Sequence, residues 1–326
     1  MTDQKNSSNS EINIKNEIQQ IIDKTNELLQ TNTEWKERYD EYLNKIDDPL
    51  NKNHKCRKLF NVPRPFVAYT NISTVSNGKC EYDLRYKGQS VATISFDKNN
   101  NVRIDSKYEN NKKHFEFDIK LEKADWNSDE ARKFRKAFKN LDTGIKTKSP
   151  EHALESFLLC LLADSIRNIQ PVKLNDQFFQ MPTPLKASNP DKCYSGYYGG
   201  GIDILARMKI KGVAANNSSR LVVFEVKDEN KKSESVDTVI LQATAYATFV
   251  ANLLKQNPRW AVIFGFDKKN CPKEIFVATL VPKGETSASF EEMEFIACDD
   301  IKLIMHTLYV DENKHLSGSL TNIKLQ

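Results

Sequence analysis

Cysteine is sparse in this chain of 326 residues, and its six copies at positions 56, 80, 160, 193, 271 and 298 are scattered. His54 and Cys56 form the one close His/Cys pair, and no second pair at zinc-finger spacing completes it, which argues against a structural zinc. The thiols are expected to be reduced. No uninterrupted apolar run approaches the roughly 18 residues that a spanning helix needs. Met1-Thr2-Asp3-Gln4-Lys5 lacks the apolar core of a secretory signal. The expectation is a soluble, cytoplasmic protein with no membrane partner. No Gly-x-Ser-x-Gly is present, so covalent acyl chemistry has no support. Gly196-x-x-Gly199-Gly200-Gly201 fits neither the dinucleotide pattern nor a P-loop, and reads instead as a flexible turn that lets Asp203 approach a ligand. A strong charge bias is missing too: Lys and Arg total 48 against 44 Asp and Glu, for a net charge of +4. That balance is compatible with nucleic-acid binding and decides nothing.

What is there suffices for two folded domains, since 39% of residues are hydrophobic and 28% charged. The first ten residues are polar and expected to be loose. From Glu11 to Gln30, Ile14, Ile18, Ile21, Ile22, Leu28 and Leu29 lie on one helical stripe. Such a face packs on its own domain or serves a homodimer or a partner protein. Trp35 to Ile46 continues this helix or doubles back. Between Pro65 and Leu121 the period changes to two, in Phe66 to Tyr69, Val91 to Phe96 and Phe115 to Ile119. With Asn77-Gly78 and Asp97 to Asn101 as turns, this predicts an antiparallel meander. A helix follows from Ser128 to Leu141. On it Arg132, Lys133, Arg135, Lys136 and Lys139 surround Phe134 and Phe138, either along a phosphate backbone or as a solvated face over an aromatic anchor. Asp142 to Lys148 reads as a linker. The expected division is therefore 1–148, a recognition or interaction domain of helices and β meander, and 149–326.

The second part carries the chemistry. Ser149 and Pro150 open a helix with Leu154, Phe157, Leu158, Leu161, Leu162 and Ile166 at helical spacing, and Glu151 and Glu155 at the edge of that face. A first strand is expected within Asp176 to Leu185, and a second from Ile202 to Ile210. Leu221-Val222-Val223-Phe224 reads as a strand buried on both faces that ends in Glu225-Val226-Lys227, a charged pair that needs a partner or a task. Glu225 and Lys227 project to the same side, with α-carbons about 6.6 Å apart. Ile240 to Leu254 is a helix with Gln242 and Tyr246 on one side. Trp260 to Phe266 and Ile275 to Leu280 read as further strands, and Phe295 to Val310 is apolar enough to pack on them.

An acid, an apolar strand and Glu-x-Lys resemble the PD-(D/E)xK nuclease superfamily, with Ile202 standing where the family has its proline. The Gln242-x-x-x-Tyr246 pattern is similar to that of the RecB-like and lambda-exonuclease-like branch. The resemblance spans roughly Ser149 to Pro282. It implies an α/β (α+β) fold whose core is restriction-endonuclease-like, a mixed sheet flanked by helices. It implies a Mg²⁺-dependent phosphodiesterase acting on DNA, with Mn²⁺ able to substitute. Asp203 and Glu225 would be metal ligands. A glutamate from the preceding helix would be the third; Glu155, one turn deeper than Glu151, is preferred. Lys227 would orient the attacking water, and Gln242 and Tyr246 would hold substrate or water. Restriction or anti-phage defence is an analogy from fold. Three alternatives stay open: a catalytically silent binding module of the same fold, a nuclease acting on RNA, and a plain ion pair of Glu225 and Lys227 at a strand end.

Overall fold

The computed structural model describes residues 2–47, 60–70, 72, 81–141, 150–164, 168–174, 176–186, 199–210, 219–228, 235–267, 271–284, 290, 292–311, 315–318 and 320, with side chains from residue 12 onward apart from residue 47. Asn77-Gly78, the 142–148 linker, Ser149, Gly196 and the His54/Cys56 pair lie outside these residues. In chain order the elements are α1 (Thr2–Thr31), α2 (Glu34–Asp47), β1 (Phe66–Thr70), β2 (Tyr82–Tyr86), β3 (Gln89–Phe96), β4 (Val102–Ser106), α3 (Tyr108–Phe115), β5 (Ala124–Asp125), α4 (Asp129–Lys139) and α5 (Pro150–Asp164). There follow β6 (Ile169–Pro171), β7 (Lys173–Leu174), β8 (Gln177–Phe179), β9 (Pro182–Thr183), β10 (Gly200–Gly201), β11 (Ile204–Lys209) and β12 (Ser219–Val226). The last are α6 (Val236–Gln256), α7 (Arg259–Ile263), β13 (Glu274–Pro282), β14 (Glu294–Cys298), β15 (Ile301–Val310) and β16 (Leu316–Gly318).

The fold class is mixed α/β. Two compact units divide the chain, one of residues 1–39, 161–172 and 181–326, the other of 40–160 and 173–180. A single cut after residue 148 does not describe this grouping, because α1 packs with the later part of the chain.

In the larger unit β12, β13 and β15 run parallel, while β11 and β6 extend the sheet antiparallel on one side and β14 on the other. Residues 221–226 of β12 are all buried, as a central strand covered on both faces requires. Helix α6 starts at Ser235, whose Oγ accepts from the Thr238 N–H at 3.1 Å, and it packs on β12 and β13. Against α6 lies α1, which is helical from Thr2, so residues 2–10 are not the loose segment expected. The α1 stripe of Ile14, Ile18, Ile22 and Leu29 is buried there, and this face is not available to a partner. Trp35, Tyr39, Phe249 and Trp260 complete the packing with edge-on ring contacts.

Two strand expectations fail here for identifiable reasons. The segment 260–266 contains helix α7, not a strand: Trp260 and Phe264 sit one turn apart with rings 5.7 Å from each other. Short apolar runs do not by themselves distinguish the two periods, and Pro258 favours a helix start. The first strand of this sheet is β6, not a segment within 176–185, because Gln177–Phe179 is drawn into the other unit as β8, parallel to β1.

In the smaller unit β1 to β5 form the expected antiparallel meander. Asp97 builds its β3–β4 turn, with Oδ1 accepting from the N–H groups of Asn99 and Asn101 and Oδ2 from Arg103 at 2.7 Å. The segment 115–119 is not a strand. Tyr108–Phe115 is helical, and Glu116 closes it in the left-handed region at φ 52°, which turns both Phe115 and Phe117 onto α4. That αL residue lets Phe115 and Phe117 both turn inward without a strand, which is the burial the alternation called for. Among the described residues no helix is long and apolar enough to cross a membrane.

Candidate functional site

The register of the larger unit's sheet assembles the central residues. Ile204 pairs with Phe224, so Asp203, one residue earlier, falls beside Glu225. Its Oδ2 accepts a hydrogen bond from the Val226 N–H at 2.8 Å. Lys227 lies one residue past β12, yet its N–H donates to the Leu280 carbonyl at 2.9 Å and prolongs the ladder toward β13. Glu225 and Lys227 therefore share a face. Their side chains are buried, with Lys227 Nζ 3.0 Å from Glu225 Oε1. The ion pair offered as an alternative is present. A buried pair offsets only part of its desolvation, so packing alone is a weak reason to keep one here.

Helix α6 adds Tyr246 and Gln242 to the same place. Burial raises the Tyr246 phenol well above its ordinary pKa, and the charge of Glu225 raises it further. A hydrogen bond from Gln242 pulls it down, Asp203 raises it and Lys227 lowers it. At neutral pH the phenol thus keeps its proton, and its charged neighbours are the strand acids and lysine. Gln242 is half-buried, and Tyr246 is buried.

The glycine run is not the flexible turn expected. Gly200 and Gly201 form β10, antiparallel to β9, with Gly199 N–H donating to Thr183 O and Ile202 N–H to Met181 O. A β-carbon on Gly199 would lie 2.1 Å from the Leu185 carbonyl oxygen, and one on Gly200 would lie 2.5 Å from the Tyr246 hydroxyl. Close approach of neighbours, not backbone freedom, makes these positions glycine. The ribbon delivers the chain to Asp203 two residues later.

Glu155 belongs to the smaller unit. Tyr69 donates to its Oε1 at 3.1 Å, Arg85 lies 4.3 Å over the Tyr69 ring, and Arg85 pairs with Asp83 at 2.7 Å. Burial, followed by the Glu155 charge, pushes the Tyr69 phenol well up and keeps it a donor. Burial alone would lower Arg85, but Tyr69, Asp83 and Glu155 outweigh it, and its pKa is raised. Glu151, one turn earlier, is only half-buried. Among the described residues no three His, Cys, Asp or Glu side chains form a group that could hold a metal ion, so Asp203 and Glu225 stand as a pair of carboxylates.

On α4, Arg132, Lys133, Lys136 and Lys139 are exposed over buried Phe134 and Phe138. Arg135 differs: its guanidinium stacks 4.0 Å over Trp126, and burial lowers its pKa. It serves the core. Sequence reasoning missed Tyr69, Arg85 and Thr279, which stands fully buried opposite Glu225 on β13. It also missed Asp228, whose buried charge directly after Lys227 was the one available signal. No family model, curated protein or solved structure matches this chain.

Proposed function

We propose that the chain is a metal-dependent nuclease that hydrolyses phosphodiester bonds in DNA, with Asp203, Glu225 and Lys227 at its centre. The observation that carries the reading is the convergence of two carboxylates, a buried lysine and a protonated phenol from β11, β12 and α6. Buried charge in a sheet core is costly, and a task for it explains its retention. The donor set fits Mg²⁺, which takes one or two carboxylate oxygens and keeps several waters. When bound, such an ion neutralises phosphate charge and lowers the pKa of a coordinated water.

The residues divide the remaining work. Asp203 and Glu225 hold the ion, and the Val226 N–H fixes the Asp203 carboxylate against β12. Lys227, drawn from Glu225 toward a phosphate oxygen, offsets the charge that grows there as water adds to phosphorus and the ester oxygen leaves. Tyr246, a donor at all working pH values, hydrogen-bonds the substrate or the water, and Gln242 holds its oxygen in place. Glu155, which accepts a hydrogen bond from Tyr69 in the smaller unit, is not part of this proposal.

One alternative has a specific observation in its favour. Glu225 Oε1 is already paired with Lys227 at 3.0 Å, as in a catalytically silent module that binds nucleic acid or protein. Calorimetry separates the two. Wild type should bind Mn²⁺, and Asp203→Asn should lose most of that affinity, because an amide brings no charge to the ion. Equal Mn²⁺ binding by both would favour the silent module. RNA in place of DNA is decided by substrate competition.

A further inference from the structure

Three segments of the smaller unit meet at one aromatic vertex. The rings of Tyr86, Phe115 and Phe138 lie 5.6, 5.2 and 5.4 Å from one another, pair by pair. All three are buried. Each brings lysines with it. Lys87 follows Tyr86 in the β2–β3 turn, with Nζ 5.7 Å from the Tyr86 ring centroid. Lys112 and Lys113 are exposed on the last turn of α3, and Lys136 and Lys139 on the last turn of α4. None of these five forms an ion pair among the described residues. The acids of the two helices, Glu109, Asp129 and Glu130, stand in their first turns, with Glu116 and Asp118 exposed beside the vertex.

Lysine at a helix C-terminus is favoured by the macrodipole, which accounts for each helix taken singly. It does not account for two such ends and a turn lysine converging on one buried cluster. We infer that this face docks the phosphate backbone of double-stranded DNA. The partner follows from what surrounds the charges. Single strands are held by stacking bases on exposed aromatic rings. Among the described residues the exposed large hydrophobics are Ile12, Val262 and Ile296, none of them aromatic. Lysine tips read phosphates and little else, so the binding should be independent of sequence. On α4, Arg132 and Lys139 stand about 10 Å apart along the axis, a span that covers several phosphates of a duplex. Docking of this kind does not depend on whether the Glu225 site cuts.

The test uses the full chain with EDTA present and a short labelled duplex, following affinity against salt concentration. Replacing Lys87, Lys113, Lys136 and Lys139 together by Gln should make the slope of log K against log salt shallower by about 0.9 for each phosphate no longer neutralised. The same four positions as Arg should keep the wild-type slope. Arg135→Gln should lower the melting temperature through loss of the Trp126 stack and leave the slope intact. If the fourfold variant does not fold, the four single Gln variants should each reduce the slope. An unchanged slope in variants with native circular dichroism would overturn the inference. Equally tight lysine-dependent binding of a single strand would overturn it too.

Discussion

The hydroxyl of Tyr246 occupies the space that a β-carbon on Gly200 would need, 2.5 Å away. Helix α6 and the β9–β10 ribbon are therefore fitted to one another at the point where the chain turns into Asp203. Gly200→Ala should cost on the order of 1–3 kcal/mol through overpacking. Adding Tyr246→Phe removes the clashing oxygen and should recover part of that loss. A double-mutant cycle by thermal denaturation checks this, and strictly additive effects would mean that the two positions do not act on each other.

Lys227 is the partner of Glu225 inside the sheet, and its removal has two consequences. Lys227→Ala should abolish cleavage while duplex affinity stays within a few fold, because one buried lysine adds little to a backbone-binding surface. It should also destabilise the fold by about 3–5 kcal/mol, as a buried carboxylate loses its cation. Ca²⁺, which tolerates loose geometry, should then raise the melting temperature of the variant more than that of wild type. Cleavage at the wild-type rate would remove Lys227 from the site.

His306 gives the fold a pH dependence separate from the candidate site. Its ring is buried against Phe276 at 4.7 Å, and burial lowers its pKa from 6.5 to about 4. Between those values the unfolded chain binds more protons than the folded one, so stability falls as pH drops from about 7 to about 4. Below that the contribution is constant. The full loss is on the order of 3 kcal/mol. Urea unfolding of wild type and His306→Leu across pH 4 to 7 checks it: the variant's slope should be smaller by up to one proton.

Much of this was legible in the sequence where periodicity and chemistry coincide. The α6 helix, the buried β12 strand ending in Glu225 and the meander were read correctly because long patterns outvote local ambiguity. Trp260 to Phe264 failed because five apolar residues fit either period, and tertiary packing on Tyr39 decided. Phe115 to Ile119 failed because an αL residue, Glu116, lets Phe115 and Phe117 turn inward without a strand. At the candidate site the acids and lysine were visible as charges out of place in an apolar strand. Gly200 was misread, since only the position of the Tyr246 hydroxyl reveals why a side chain is excluded there. Arg85 and Tyr69, which hold Glu155, carried no signal because the strands that bring them together with it lie far away in sequence.

The most direct measurement incubates wild type and Asp203→Asn with supercoiled, linear and single-stranded DNA and with RNA, in Mg²⁺, Mn²⁺ or EDTA. Wild type is expected to cut DNA with Mg²⁺ or Mn²⁺ and to stop in EDTA, and Asp203→Asn to be inactive throughout. No cutting of any substrate, or cutting that persists in EDTA or in Asp203→Asn, would contradict a metal-dependent nuclease centred on Asp203 and Glu225.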